Sequence, residues 1–171
     1  LDSEIDKGFN MQSTLFPVVT LAYVTVFSLM VMDLVMSQSP WWYANMFPAW
    51  IWMSSVWLGF ATLGLVAMFT RDWLGLKDII TTDVTHDLGK LLLAFCMFWA
   101  YTAYAQILPI WYANMPEETD YLLVRLMLPA WGWLARTVAI MCFIAPFTIL
   151  MSRGIKKMRW PFAAICLLIM V

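Results

Sequence analysis

Long apolar stretches alternate with short polar ones along this chain. The apolar stretches occupy about residues 14–36, 47–70, 83–112 and 129–151. A helix of about 20 apolar residues is long enough to cross the hydrocarbon core of a bilayer, which is about 30 Å thick. The pattern therefore predicts an all-α integral membrane protein, a transmembrane helix bundle with four full spans.

The polar stretches divide the chain around these spans. Residues 1–13 are polar and acidic, so we expect a polar N-terminal surface segment followed by a transmembrane helical bundle over 14–171. A loop with prolyl and aromatic residues is predicted at 37–46, and a polar connection at 71–82.

A third polar stretch follows the span that ends near residue 112. Asn114 is predicted as a helix N-cap, with Pro116 and Glu117 in the first turn. We therefore expect a short interfacial helix over about 117–128.

The last apolar run, 160–171, is too short to be a full span. A helix of that length reaches about 18 Å, against the roughly 30 Å of a bilayer core. The chain also begins with Leu1 rather than Met. We therefore expect a truncated fifth span, and a chain that is a fragment of a longer membrane protein.

Composition supports a membrane location and excludes several kinds of partner and cofactor. Hydrophobic residues make up 63% of the chain, charged residues 12%, and the mean hydropathy is +0.78. The net charge of −1 gives no reason to expect nucleic acid as a partner. One histidine, and three cysteines without CxxC spacing, could not hold a bis-histidine haem or an iron–sulfur cluster. We therefore predict that this chain holds no metal and no redox cofactor firmly on its own.

Basic residues predict the orientation of the helices. The connections at 71–82 and 152–159 together hold six lysine or arginine residues, whereas the opposite loops hold only Arg125. The positive-inside rule then puts both connections and the N-terminus in the cytoplasm.

The strongest candidate for chemistry is a group of ionisable residues where the third span begins. The group consists of Asp83, His86, Asp87 and Lys90. Their i, i+3, i+4, i+7 spacing puts them on one face of a helix, and Tyr101 and Tyr104 continue that face inward. Histidine exchanges protons near neutral pH, so the face is a candidate proton pathway with the phenols midway. The alternative is a capped helix start whose charges favour the helix dipole and reach the lipid headgroups.

A second set of candidates lies near the predicted outer surface. Asp33 is a lone carboxylate in its span, and it could accept a proton or, with Trp41, Trp42 and Gln106, line a quinone pocket. The alternatives are a wetted interfacial carboxylate, an aromatic interfacial belt, and hydrogen bonding of Gln106 and Arg136 between helices.

Four blocks of sequence resemble one family. The longest is DVTHDLGKLLLAFCMFWAYTAYAQILPIWYANMPEE at 83–118, and the others are MDLVMSQSPWWY at 32–43, NMPEETDYLLVR at 114–125 and FIAPFTILMSRGIKKMRW at 143–160. In this order they resemble ActF-type membrane subunits of alternative complex III, relatives of the polysulfide-reductase (NrfD-like) membrane subunits. The first block is specific, and the resemblance covers about residues 30–160.

The resemblance implies a fold of two four-helix bundles, of which this chain would be the C-terminal part. It also implies a hetero-oligomeric complex of the bacterial inner membrane that oxidises quinol. Electrons would pass to an acceptor through partner subunits that hold iron–sulfur clusters and haem c. His86, Asp87 and Lys90 match the family's polar helix entrance, and Asp33 matches its outer acid.

Two positions depart from the family pattern. Leu34 stands where a tryptophan is expected, and Cys142 stands where a histidine is expected. The second departure removes a candidate proton carrier or quinone ligand, so it favours a proton-path or scaffold role over a complete quinone site.

These observations together predict a non-metal membrane subunit of a quinol-oxidising electron-transport complex in a respiratory or photosynthetic chain. The subunit would contribute a transmembrane proton pathway beside a quinol-oxidising partner. The alternatives are a quinone-binding subunit of this oxidoreductase, a structural membrane anchor, and an independent secondary transporter. A transporter would favour helices interrupted by glycine or proline at mid-membrane, and these spans have few such interruptions.

Overall fold

The structure is a computed structural model, which describes residues 2–39 and 41–170. Within these ranges the side chains of residues 2–5, 72, 157 and 159 are not described. The predictions that concern the acidic side chains of Asp2 and Glu4, the loop residue Pro40, and the basic side chains of Lys157 and Arg159 lie outside the described residues.

Helices make up almost all of the described chain. They are α1 (Asp2–Leu34), α2 (Met46–Trp73), α3 (Thr82–Ala113), α4 (Pro116–Leu126), α5 (Pro129–Ala139), α6 (Ala145–Met151), α7 (Arg153–Lys157) and α8 (Arg159–Met170). A 3₁₀ turn follows α1 at Met36–Gln38, and a π-helical turn at Ile140–Ile144 joins α5 to α6.

Four helical segments are long and apolar enough to cross a membrane. They are Asp6–Gln38, Met46–Arg71, Thr82–Ala113 and Pro129–Met151, and a shorter apolar helix covers Trp160–Met170. This confirms the predicted all-α class, with four helical segments long and apolar enough to be full spans and one short apolar helix.

The chain divides into two compact units, residues 1–40 and 41–171. The first unit is α1 with its 3₁₀ turn, and α1 begins at Asp2 rather than near the predicted span start at residue 14. Residues 2–13 of the polar segment therefore continue the helix of the first span. Its backbone can do so because the segment contains no proline, and polarity alone does not end a helix.

The core of the second unit lies where α2, α3, α6 and α8 meet. Its buried residues are Trp57, Ala61, Leu92, Cys96, Leu150, Phe162, Ile165, Cys166 and Ile169. The indole Nε1 of Trp57 donates a hydrogen bond of 3.0 Å to the carbonyl of Leu92, which joins α2 to α3. A Cβ on Gly64 would lie 3.1 Å from Cys166 Sγ and 3.1 Å from Phe162 Cε1, so the missing side chain lets α8 approach α2.

The fourth span has the length of one transmembrane helix, but its backbone is not a continuous α-helix. Its centre is the π-helical turn, and Pro146 lies in the first turn of α6 just beyond it. Proline lacks the N–H that would bond the carbonyl four residues earlier, which is that of Cys142. The Cys96 thiol lies 3.7 Å from this carbonyl and acts as a weak donor to it. The sequence analysis did not predict this turn.

The junction of α3 and α4 corrects one predicted helix cap. Asn114 has φ 49° and ends α3 in the left-handed conformation, with its N–H bonded to the carbonyl of Ile110. The N-cap of α4 is Met115, and Pro116 and Glu117 form the first turn as predicted. Asparagine tolerates the left-handed region better than most residues, which explains its place at a helix C-terminus.

Candidate functional site

The polar start of α3 has an N-cap residue, Thr81, directly before the helix begins at Thr82. The Thr81 hydroxyl accepts a hydrogen bond from the N–H of Val84, and Asp83 is the acidic residue of the first turn. Both features stabilise the exposed N–H groups and positive dipole end of a helix N-terminus. Asp83 is exposed. The predicted capping function of this segment therefore coexists with the candidate site.

His86, Asp87 and Lys90 come together as predicted. Lys90 Nζ lies 2.8 Å from Asp87 Oδ1, an ion pair one helical turn apart. His86 Nδ1 lies 3.7 Å from the same oxygen, which is beyond a direct hydrogen bond. The His86 side chain is 19% exposed, whereas those of Asp87 and Lys90 are 68% and 59% exposed. The cluster is therefore a half-buried imidazole beside a solvent-accessible ion pair.

Tyr101 and Tyr104 lie on the exposed side of α3, each 60% exposed. At about 1.5 Å per residue, Tyr101 is about 16 Å along the helix axis from Lys90. Ala94 and Met97 fill the interval and are exposed apolar residues. A proton cannot cross that distance between side chains of α3 alone, so any path on this face needs water or polar groups from another helix or subunit.

One residue of the second candidate set, Trp42, is part of a packed aromatic stack. The rings of Trp42 and Tyr121 are parallel within 8°, with centroids 3.7 Å apart. Arg125 Cζ lies 3.4 Å from the centroid of the Tyr121 ring. Two groups this close cannot share one face of the ring, so Tyr121 is held between an indole and a guanidinium. Burial raises the pKa of the Tyr121 phenol, and the Arg125 charge opposes that shift.

This stack continues into α2 through Phe47 and Trp50. Trp42 packs edge-on against Phe47 with centroids 4.9 Å apart, and Phe47 contacts Trp50 at 5.9 Å. The Nε1 groups of Trp42 and Trp50 are buried, and neither has a hydrogen-bond acceptor among the described residues. A buried donor without an acceptor costs about 1–3 kcal/mol. The sequence analysis considered Trp42 for a quinone pocket or an interfacial belt, and the sequence gives no signal that the N–H groups of Trp42 and Trp50 are buried.

The remaining predicted site residues occupy separate places. Asp33 is exposed near the end of α1, where the Ser37 hydroxyl bonds its backbone carbonyl, and it belongs to the first compact unit. Trp41 is exposed at the start of the second unit.

Gln106 donates to the carbonyl of Thr102, and Arg136 to that of Gly132. These two bonds stay within their own helices, so the predicted interhelical hydrogen bond is not formed in the described part of the chain.

The described residues include no group of three histidine, cysteine, aspartate or glutamate side chains that could hold a metal ion. No family model matches this chain, and no curated protein matches it at a significant level.

Proposed function

We propose that this chain is a membrane subunit of a quinol-oxidising electron-transport complex, and that the exposed face of α3 forms one wall of a transmembrane proton pathway. The observation that carries the proposal is the cluster of His86, Asp87 and Lys90 at the start of a membrane-spanning helix, with Tyr101 and Tyr104 farther along that helix. The resemblance to ActF-type subunits supplies the class of complex.

The cluster has the chemistry of a proton entrance. The His86 imidazole lies 3.7 Å from the Asp87 carboxylate, and histidine is a common proton shuttle in proteins. Lys90 Nζ forms an ion pair with the same carboxylate oxygen at 2.8 Å. Because ionisable groups inside a membrane span carry a free-energy cost, such a cluster favours a role in transport over a purely structural one.

The second wall of the pathway would come from another chain. Tyr101 and Tyr104 are exposed, and the apolar interval before them lacks polar groups on α3. A partner subunit packed on this face would bury the phenols and supply the missing polar groups or waters. Quinol oxidation in that partner would then bias proton occupancy along the shared face.

The first test is the composition of the native assembly. We expect the tagged chain, purified from its native membrane in mild detergent, to carry haem c and iron–sulfur subunits. Subunit mass spectrometry and a haem absorption spectrum measure this directly. A lone chain, or a homo-oligomer without haem, would contradict the proposed complex.

The second test addresses the pathway. In the reconstituted complex, His86→Ala combined with Lys90→Ala should lower the number of protons translocated per electron, because it removes two ionisable groups from the proposed entrance. Proton uptake by vesicles during quinol oxidation measures the ratio. Asp78→Asn, a carboxylate change in the exposed connection before α3, is the control and should leave the ratio unchanged. An unaltered ratio in the double variant, with all subunits present, would refute the pathway.

Quinone binding by this chain is the second candidate function, and a different observation favours it. The unpaired Nε1 groups of Trp42 and Trp50 are donors in need of an acceptor, and a quinone carries two carbonyl oxygens. The stacked rings around them would pack against a flat headgroup.

Replacing both indoles with phenylalanine should weaken binding of a short-chain quinone analogue about thirtyfold, because two lost hydrogen bonds of about 1 kcal/mol each add to about 2 kcal/mol. Phenylalanine preserves an aromatic ring at each position. Titration of the purified full chain with the analogue, followed by native mass spectrometry, measures the affinity. Equal affinity of the double variant and the parent would assign the two indoles to packing alone.

A further inference from the structure

Lys156 is a buried lysine near one end of the helix bundle. It lies in α7, directly after the span Pro129–Met151, and is 6% exposed. Lysine is almost never this buried without a partner, because moving an ammonium group out of water is costly. Among the described side chains, Lys156 is the buried residue that carries a charge.

Its aliphatic stem is held against Gly89 of α3. A Cβ at position 89 would lie 3.0 Å from Lys156 Cγ and 3.3 Å from its Cβ and Cδ. The absence of a side chain on Gly89 therefore makes the space for the stem. Gly89 is about two turns into the span that begins at Thr82, so the lysine sits beside the ends of two spans.

The charges around Lys156 are mostly of its own sign. Asp87 is engaged by Lys90 at 2.8 Å and by His86 at 3.7 Å, and no described carboxylate forms an ion pair with Lys156. Burial lowers the pKa of the Lys156 ammonium group, and the charges of Lys90 and Arg153 lower it further. Among the described residues, therefore, no anion pairs with this ammonium group.

The surroundings indicate where that anion comes from. Met151 and Trp160 flank the basic segment and are 68% and 81% exposed. Exposed apolar residues at the end of a span contact acyl chains, and tryptophan is typical of the headgroup level. Basic pockets between helices at this depth bind anionic lipid headgroups.

We propose that Lys156 and Arg153, with Lys90 adding positive charge, form a binding site for the phosphate group of an anionic lipid. The phosphate accepts charge-assisted hydrogen bonds from the two cations and supplies a counter-charge that no described carboxylate gives Lys156. The acyl chains lie along Met151 and Trp160. The site shares Lys90 with the proposed proton entrance, but it is argued from Lys156 and Arg153 and does not require proton transfer.

The test compares lipid retention by the delipidated full chain in detergent. Native mass spectrometry measures binding of phosphatidylglycerol and phosphatidylcholine, and we expect the parent to prefer phosphatidylglycerol. Lys156→Met keeps the stem and removes the charge, so it should reduce that preference about tenfold. Lys77→Met, which removes a charge from the connection between α2 and α3, should leave the preference unchanged.

Two further measurements test the role of Arg153 and the identity of the anion. Arg153 is exposed, so Arg153→Met should fold normally and reduce the preference by a smaller factor. Equal lipid preference in both variants and the parent would overturn the site. If millimolar inorganic phosphate displaces phosphatidylglycerol completely, the site is for a soluble anion and the assignment to a lipid is wrong.

Discussion

Replacing Trp57 with alanine is expected to lower the free energy of unfolding by about 3–5 kcal/mol. The indole is 3% exposed and lies in the core between α2 and α3, with its ring centroid 6.3 Å from that of Trp99. In a membrane the loss is one of close packing rather than of apolar burial from water, because lipid is as apolar as the core. The cavity left by the indole removes contacts that lipid cannot replace. Unfolding of the purified chain in detergent, followed by tryptophan fluorescence and circular dichroism, measures the change.

Trp57→Phe is the matched control for this substitution. Phenylalanine keeps an aromatic ring in the core and removes the 3.0 Å hydrogen bond from Nε1 to the Leu92 carbonyl. The expected loss is about 1 kcal/mol, since the carbonyl also accepts within its own helix. If alanine and phenylalanine destabilise the chain equally, the indole does not fill the core as described.

The helical class and the number of spans followed from the sequence for a simple physical reason. A bilayer imposes a fixed length on any segment that crosses it, and a helix satisfies its backbone polar groups internally. Runs such as 47–70 and 83–112 therefore predict where α2 and α3 begin and end to within a few residues. Polarity was a poorer guide at 1–13, because a helix can continue from lipid into water without a break.

The interruption in the fourth span shows what pattern alone misses. Hydrophobicity is continuous over 129–151, yet the backbone changes to a π-helical turn at Ile140–Ile144. Its cause combines a local feature, Pro146, with a distant one, the Cys96 thiol that reaches the Cys142 carbonyl from α3. A contact between residues 46 positions apart has no signature in the local pattern.

In the candidate site, too, the sequence predicted contacts within one helix and missed contacts between helices. Spacing on a single helix predicted that Asp87 and Lys90 would meet, because helical periodicity fixes which side chains are neighbours. It could not predict that Lys156 would be buried against Gly89, since that contact depends on how α7 packs on α3. In the sequence, Lys156 is simply one of the basic residues that predict the orientation of the chain.

Gly64→Leu is expected to separate α8 from α2 and to lower stability by at least about 2 kcal/mol, as for severe overpacking of a core. A Cβ alone at this position would lie 3.1 Å from Cys166 Sγ and from Phe162 Cε1, and 3.2 Å from Leu88 Cδ2. Three neighbours from two helices close the site, so the longer leucine side chain has no free direction. Cross-linking between cysteines introduced into α2 and α8 would report the separation, and unfolding in detergent would report the stability.

Gly59→Leu is the control for this effect, because it makes the same chemical change on the same helix. A Cβ at position 59 meets nothing within 4 Å. Helix propensity alone predicts that replacing either glycine stabilises α2, by up to about 1 kcal/mol. Any difference between the two variants therefore isolates the packing of α8 against Gly64. If Gly64→Leu and Gly59→Leu change the stability by the same amount, α8 does not pack against α2 at Gly64, and the core as described is wrong at this position.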